Sequence, residues 1–264
     1  MPQIFVGDLS VYYEEAGEGV PVMLIHGHPF DCTMWRPQLA ASFPGHRLIA
    51  PDLRNFGRSI APNPPADFAA YASDLVALAD ALGLDKFFVG GLSMGGQIVF
   101  EVAIAAPGRV RGLILCDTFA QLDTPEKKAS RYALADRLER EGMNNYAVEV
   151  LPKMLCAKTI AEKPEVAAEL VTMMQRAPAQ GAAAALRVRA ERRDYLPLLP
   201  EFDLPTLIVV GEHDQFTPVA DAELMRREIR GSRLVVLEDA GHITSMEQPE
   251  RFNQALTEFL RTAG

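Results

Sequence analysis

The sequence predicts a doubly wound α/β fold: a mostly parallel, eight-stranded sheet with helices on both faces and a helical insertion near its middle. Three observations support this. Short apolar runs alternate with longer amphipathic segments from end to end. Most of these runs are continuous rather than alternating, as in strands covered on both faces. Several end in Gly, Pro or Asp clusters, where loops leave the carboxyl edge of such a sheet.

The predicted strands are Ile4–Val6, Val11–Glu15, Val22–Ile25, Arg47–Ala50, Phe87–Val89, Val110–Cys116, Thr206–Val210 and Leu234–Leu237. Asp67–Leu82 is a predicted helix with Leu75, Leu78, Ala79 and Leu82 on one face and Gly83 as its stop. Gln97–Ala106 is apolar nearly all round, so it is expected to be buried. Gln248–Thr262 reads as a closing amphipathic helix. Between Gln121 and Pro200 the rhythm breaks, with prolines at 125, 152, 164, 178, 197 and 200 and no convincing strand. Several short helices are expected there, placed over the sheet edge. The domain division is therefore residues 1–120 and 201–264 as core and 121–200 as cap.

Composition narrows the function classes. The chain has 264 residues, 48% hydrophobic and 23% charged, which suits a globular domain rather than a disordered one. A formal net charge of -9 repels nucleic acid and anionic lipid, so neither is an expected partner. The three cysteines, Cys32, Cys116 and Cys156, form no CxxC and no disulfide framework. The N-terminal residues lack the pattern of a signal peptide, and no apolar run is long enough to cross a membrane. A cytoplasmic location is the default expectation. Oligomeric state is not readable.

Gly91-Leu92-Ser93-Met94-Gly95 fits G-x-S-x-G between a predicted strand and a predicted helix. A serine on so sharp a turn is held in a strained backbone with its hydroxyl exposed, and small neighbours let strand and helix approach. Ser93 is thus the candidate nucleophile. No phosphate-loop or G-x-G-x-x-G pattern competes with it.

A serine nucleophile needs a base and an acid, and this fold requires the chain order Ser, acid, His. His242 follows the last strand and is the candidate base; His213 reads as a solvated loop residue. Asp214, just after Thr206–Val210, is the preferred acid, with Glu212 and Asp117 as rivals. The loop His26-Gly27-His28-Pro29 should supply one oxyanion donor, the backbone N–H of His28, and Met94 the other. His26 and His28 lack a supporting ligand at metal-site spacing, so no metal is expected. His46 is expected at the surface.

Together these motifs resemble the α/β-hydrolase superfamily: His26-Gly27-x-Pro29, Asp52-Leu53-Arg54-x-x-Gly57-x-Ser59, Gly91-x-Ser93-x-Gly95-Gly96, Gly211-x-x-Asp214 and Gly241-His242. Asn55 stands where many relatives carry glycine, which should reshape a loop. The elbow is similar to those of bacterial esterases, perhydrolase-type esterases, 3-oxoadipate enol-lactonases and carbon–carbon bond hydrolases. Ser93 argues against the branches that carry aspartate there, the haloalkane dehalogenases and epoxide hydrolases. The His26–Pro29 loop differs from the serine-containing loop usual in the enol-lactonases.

The resemblance implies a cofactor-free carboxylesterase that cleaves small to medium esters through an acyl-serine. An enol-lactonase or carbon–carbon bond hydrolase with the same triad is the alternative among enzymes, and a weakly catalytic small-molecule receptor the alternative outside them. Perhydrolysis would use the same residues. Phe30, Trp35, Phe119, Met143, Met154, Met173 and Met174 are the expected pocket lining.

Overall fold

The computed structural model describes residues 3–263. In chain order it contains β1 (Gln3–Val6), β2 (Leu9–Gly17), β3 (Val20–Ile25), α1 (Arg36–Leu39), β4 (His46–Pro51), α2 (Ala69–Ala81), β5 (Phe87–Leu92), α3 (Met94–Ala105) and β6 (Val110–Cys116). There follow α4 (Pro125–Glu141), α5 (Asn144–Met154), α6 (Ala157–Glu162), α7 (Pro164–Arg176) and α8 (Ala179–Ala190). The chain closes with β7 (Thr206–Gly211), α9 (Val219–Glu228), β8 (Arg233–Leu237), α10 (Thr244–Glu247) and α11 (Pro249–Ala263).

The eight strands form a sheet in the order β1-β2-β4-β3-β5-β6-β7-β8. β2 runs antiparallel to both its neighbours, and every pairing from β4 to β8 is parallel. Each parallel step needs a crossover, and the crossovers place helices on both faces. Side-chain alternation then divides the strands between two cores. Met23 and Ile25 of β3, Val89 of β5 and Leu113 and Leu115 of β6 pack with Leu75 and Leu78 of α2, Ile98 and Val102 of α3 and Met225 of α9. Val22 and Leu24, Phe88 and Ile114 face the other way, onto Trp35 and onto Phe252, Leu256 and Phe259 of α11. Both strand faces are therefore apolar, the pattern that reads as continuous runs in the sequence.

All eight strands form where the sequence predicts them, with ends shifted by a residue or a few. α3 starts at Met94, three residues before the expected Gln97, directly after Ser93. Gly95 and Gly96 are poor helix formers, but they sit where the helix crowds the sheet. A Cβ on Gly95 would lie 2.4 Å from the carbonyl oxygen of Ile25. Local propensity yields to this close approach.

Five helices, α4 to α8, lie between β6 and β7. Thr124 caps α4 by accepting the Lys127 N–H at 3.3 Å, and Pro125 occupies its first turn. Pro164 starts α7 in the same way. Buried Ala135 and Leu138 of α4 and Ala182, Ala183 and Leu186 of α8 join the first core, while Met154, Leu170 and Met173 join the second. Asn55 adopts a positive φ of 59°, a conformation its short amide side chain tolerates. Its side chain accepts the Ala61 N–H at 2.9 Å, and its carbonyl is so close to Gly181 that a Cβ there would sit 2.1 Å away. The Asn55 side chain thus ties the loop to Ala61, while its backbone packs tightly on α8. No helix among the described residues is long and apolar enough to cross a membrane.

Candidate active site

Ser93 joins β5 to α3 with φ 56° and ψ −111°, a region that non-glycine residues rarely occupy. The turn is held from three sides. The Ser93 N–H donates to the Cys116 carbonyl at 2.9 Å, and the Ser93 carbonyl accepts from Gln97 N at 3.2 Å and Thr118 Oγ1 at 2.7 Å. Gly91 has no room for a side chain, since a Cβ would lie 2.3 Å from the Gly95 carbonyl carbon. Surrounding structure thus over-determines a strained residue, the condition under which strain persists.

Ser93 and His242 line one cavity of about 200 Å³. Behind His242, its Nδ1 lies 2.8 Å from Asp214 Oδ2. The other Asp214 oxygen accepts the Phe216 and Thr217 N–H groups at 2.8 and 3.0 Å, and the Thr217 hydroxyl donates to Oδ2. Burial raises the Asp214 carboxyl, but His242 and the Thr217 donors outweigh it, so its pKa lies below the ordinary carboxylate value. An ionised Asp214 makes Nδ1 of His242 the donor, which leaves Nε2 free to accept a proton.

The rival acids lie elsewhere. Glu212 is exposed beside His213, 3.7 Å away. Asp117 is fully buried; its Oδ1 accepts the Gly211 N–H at 3.0 Å and its Oδ2 the Thr244 hydroxyl at 2.5 Å. Burial, then the neighbouring Asp214 charge, holds the Asp117 carboxyl well above its usual range. Asp117 therefore ties the end of β7 to the end of the histidine loop and makes no hydrogen bond to His242.

The loop carrying His242 is gripped by two groups, one of them, Glu247, a residue that the sequence did not single out. The His242 N–H donates to the Met154 carbonyl at the end of α5, at 2.8 Å. The buried Glu247 carboxylate accepts N–H groups from Gly241 at 2.8 Å, Ile243 at 3.2 Å and Cys156 at 2.7 Å. The Phe216 ring packs on the imidazole with centroids 5.1 Å apart.

The two expected oxyanion donors share a property. Among the described residues, neither the His28 nor the Met94 N–H finds an acceptor in the protein. Met94 opens α3, where N–H groups have no intrahelical partner. The His28 ring lines the cavity and its Nε2 lies 3.0 Å from the Ala182 carbonyl. Burial and the nearby Arg189 hold its pKa down to about 3, so the ring stays neutral and Nε2 is the donor. His26 lies behind it: Nε2 accepts the Leu53 N–H at 3.0 Å and Nδ1 donates to Gly27 O at 2.9 Å. Both nitrogens are occupied, which leaves His26 a structural role.

Asp31, Cys32 and Asp52 form a compact buried cluster whose acids are committed to protein donors. Asp31 is bridged by Arg176 at 2.8 Å, and Asp52 accepts the Cys32 and Arg58 N–H groups, each at 2.7 Å. Burial, then the Asp52 charge, pushes the Cys32 thiol up, which works against thiolate ligation.

Of the expected lining, the cavity holds Phe119 and Met154. Five expected residues lie elsewhere. Phe30 and Trp35 are at most 1% exposed in the second core, Trp35 against Phe252 with ring centroids 6.0 Å apart. Met173 and Met174 form the apolar face of α7, which packs into the same core, and Met143 packs in the first core. Large apolar side chains are consumed by packing the insertion onto the sheet. The cavity is lined instead by Lys127, Arg131 and Leu134 of α4, Tyr146 of α5 and Leu186 and Arg189 of α8, together with Phe216 and Thr217. α8 lies well beyond α4 and α5 in the sequence, so no local pattern marks the set.

Residues 20–249 match the family model for the alpha/beta hydrolase fold. The chain belongs to this family. A thermophilic esterase from Thermogutta terrifontis is 42% identical, with a TM-score of 0.96 over 100% of this chain and 99% of that one. 3-Oxoadipate enol-lactonase 2 of Acinetobacter baylyi is 29% identical over 94% of this chain and 92% of its own length. A pimeloyl-[acyl-carrier protein] methyl ester esterase of Neisseria meningitidis is 30% identical over 90% and 92%.

Proposed function

We propose that this chain is a carboxylic ester hydrolase that cleaves small to medium esters through an acyl-enzyme on Ser93. The observation that carries the reading is the 2.8 Å contact between His242 Nδ1 and Asp214 Oδ2 behind a cavity that Ser93 and His242 share. Ser93 Oγ attacks the ester carbonyl carbon while His242 Nε2 takes the hydroxyl proton. The carbonyl oxygen becomes an oxyanion within reach of the His28 and Met94 N–H groups. Collapse breaks the bond to the alkoxy oxygen, which leaves as an alcohol with the proton from His242. Water then attacks the acyl-serine by the same route, giving the acid and free Ser93. Asp214 holds the imidazole tautomer and balances the imidazolium.

No step calls for a cofactor. Residues 121–200 serve as a cap that closes the cavity over Ser93. The free cysteines, all buried, suit a reducing cytoplasm. Lactone hydrolysis by the same residues is the second reading, favoured by the enol-lactonases among the relatives.

The test is Ser93→Ala assayed on p-nitrophenyl butyrate. A loss of about 10³-fold or more in kcat with an unchanged melting temperature is expected. Wild-type turnover in the variant would remove Ser93 from the mechanism.

A further inference from the structure

The cavity beside Ser93 carries a charge imbalance. Lys127, Arg131 and Arg189 all line it, and among the described residues no acidic side chain does. One buried carboxylate, Asp123, stands behind them, and it is already shared. Arg131 binds it with two nitrogens at 2.6 and 3.0 Å, Arg192 adds a contact at 2.7 Å, and Lys127 lies 3.9 Å away.

Arg189 is the decisive residue. It is 6% exposed and its Nε donates to Gln97 Oε1 at 2.7 Å. Among the described residues it has no carboxylate partner, and its guanidinium lies 6.0 Å from the Phe119 ring. A guanidinium buried without a counter-charge is costly, and it is usually paired or binds a ligand. Burial, then Arg131 and Arg192, pulls the Arg189 group well below its ordinary range, so its charge is held against the local environment. Phe119 fits the same pattern, since Lys127 lies 4.2 Å and Arg192 5.1 Å from its ring. The ring offers these cations a soft partner but no full neutralisation.

An acidic protein with net charge -9 thus turns a cluster of cations inward, next to its proposed nucleophile. Desolvation by the helical insertion strengthens the pull of this cluster on an anion. A planar guanidinium with free Nη donors matches a carboxylate bidentately.

We infer that the substrate is an ester or lactone carrying a second, free carboxylate, which Arg189, with Arg131 and Lys127, holds while Ser93 attacks the ester carbonyl. This rests on the acyl-serine reading above and specifies its substrate class. The Asp123 pairing keeps the Arg131 and Lys127 side chains in place, and the substrate carboxylate supplies the charge that Asp123 cannot. A neutral ester of the same size leaves Arg189 unpaired in the complex and forgoes that binding energy.

The test measures kcat/KM for two matched pairs. p-Nitrophenyl hydrogen glutarate against p-nitrophenyl pentanoate places the acid on the acyl side. 4-Acetoxybenzoate against its methyl ester places it on the leaving group. The wild-type protein is expected to favour the acid in one pair by about 10-fold or more, and to be inhibited competitively by glutarate. Arg189→Gln should cut that preference by about 10- to 100-fold, as the ratio of acid to neutral substrate within one variant. Lys127→Gln, a half-exposed site, should cut it by a smaller factor and covers the case in which Arg189→Gln does not fold. No preference in either pair together with no inhibition by glutarate overturns the inference. Failure of the serine mechanism reads differently: no ester of either kind is then turned over, or turnover survives Ser93→Ala.

Discussion

Replacing Glu247 by glutamine perturbs the support of the histidine loop while changing no side chain that lines the cavity. Glu247 is fully buried, and its two oxygens accept the Gly241, Ile243 and Cys156 N–H groups at 2.8, 3.2 and 2.7 Å. Glutamine keeps one acceptor oxygen, so one side of the group must turn an NH2 toward an N–H. If the oxygen stays on Gly241 and Ile243, the Cys156 N–H is orphaned. The charge-assisted bond lost there contributes about 1.5–3 kcal/mol, and a buried unsatisfied donor costs about 1–3 kcal/mol more. Burial raises the Glu247 pKa, so the carboxylate carries its own desolvation cost, which glutamine relieves. The net loss is therefore about 2–4 kcal/mol. For a chain of this length it lowers the melting temperature by roughly 5–15 °C. Because His242 is displaced rather than removed, kcat should fall by about 10-fold with KM little changed. Thermal denaturation and steady-state ester hydrolysis read the two effects. A variant that melts within about 2 °C of the wild type and keeps its kcat would refute the assigned role of Glu247.

Asp117→Asn tests the second acid and its pH sign. The Asp117 pKa is raised by burial and then by Asp214, so the folded state holds this proton to higher pH than the unfolded chain. Wild-type stability therefore falls as pH rises from the unfolded carboxylate value of about 3.9 towards the raised folded value. The variant removes that loss, and its stability relative to wild type should grow across this window in urea melts at several pH values, while esterase activity persists. A gap that closes as pH rises would mean Asp117 is stabilised as the ion. Ser93→Gly should abolish turnover yet raise stability by about 1 kcal/mol, because glycine relieves the positive φ and only part of the gain is lost to unfolded-chain entropy. A destabilised glycine variant would show that the turn is not strained.

The parts of the site written in short stretches of chain were legible. The turn of the proposed nucleophile is local: four glycines and a strand-to-helix change of period surround Ser93. Chain order singled out His242 and Asp214, because loops at the carboxyl edge of a parallel sheet meet in a fixed sequence. The cavity lining was not legible. Trp35 and Phe30 have the composition expected of a pocket, yet the same apolarity serves the core under α11, and periodicity cannot separate the two uses. Lys127 and Arg131 lie about sixty residues from Arg189 and meet it only because α4 packs on α8. Glu247 was hidden for a related reason. A glutamate in a short helix reads as solvated surface until the fold turns three N–H groups toward it.

The hydrogen bond from the His242 N–H to the Met154 carbonyl ties the proposed proton-transfer residue to the helices that shape the cavity. Substrate range in such a molecule cannot be exchanged as a cassette. A foreign 121–200 segment grafted onto this sheet would bring new walls, and it would also set the height and tilt of the imidazole. Chimeras that keep Met154–Cys156 in their present path should retain turnover on whatever they newly admit, whereas those that shift it should bind the new ester and stall.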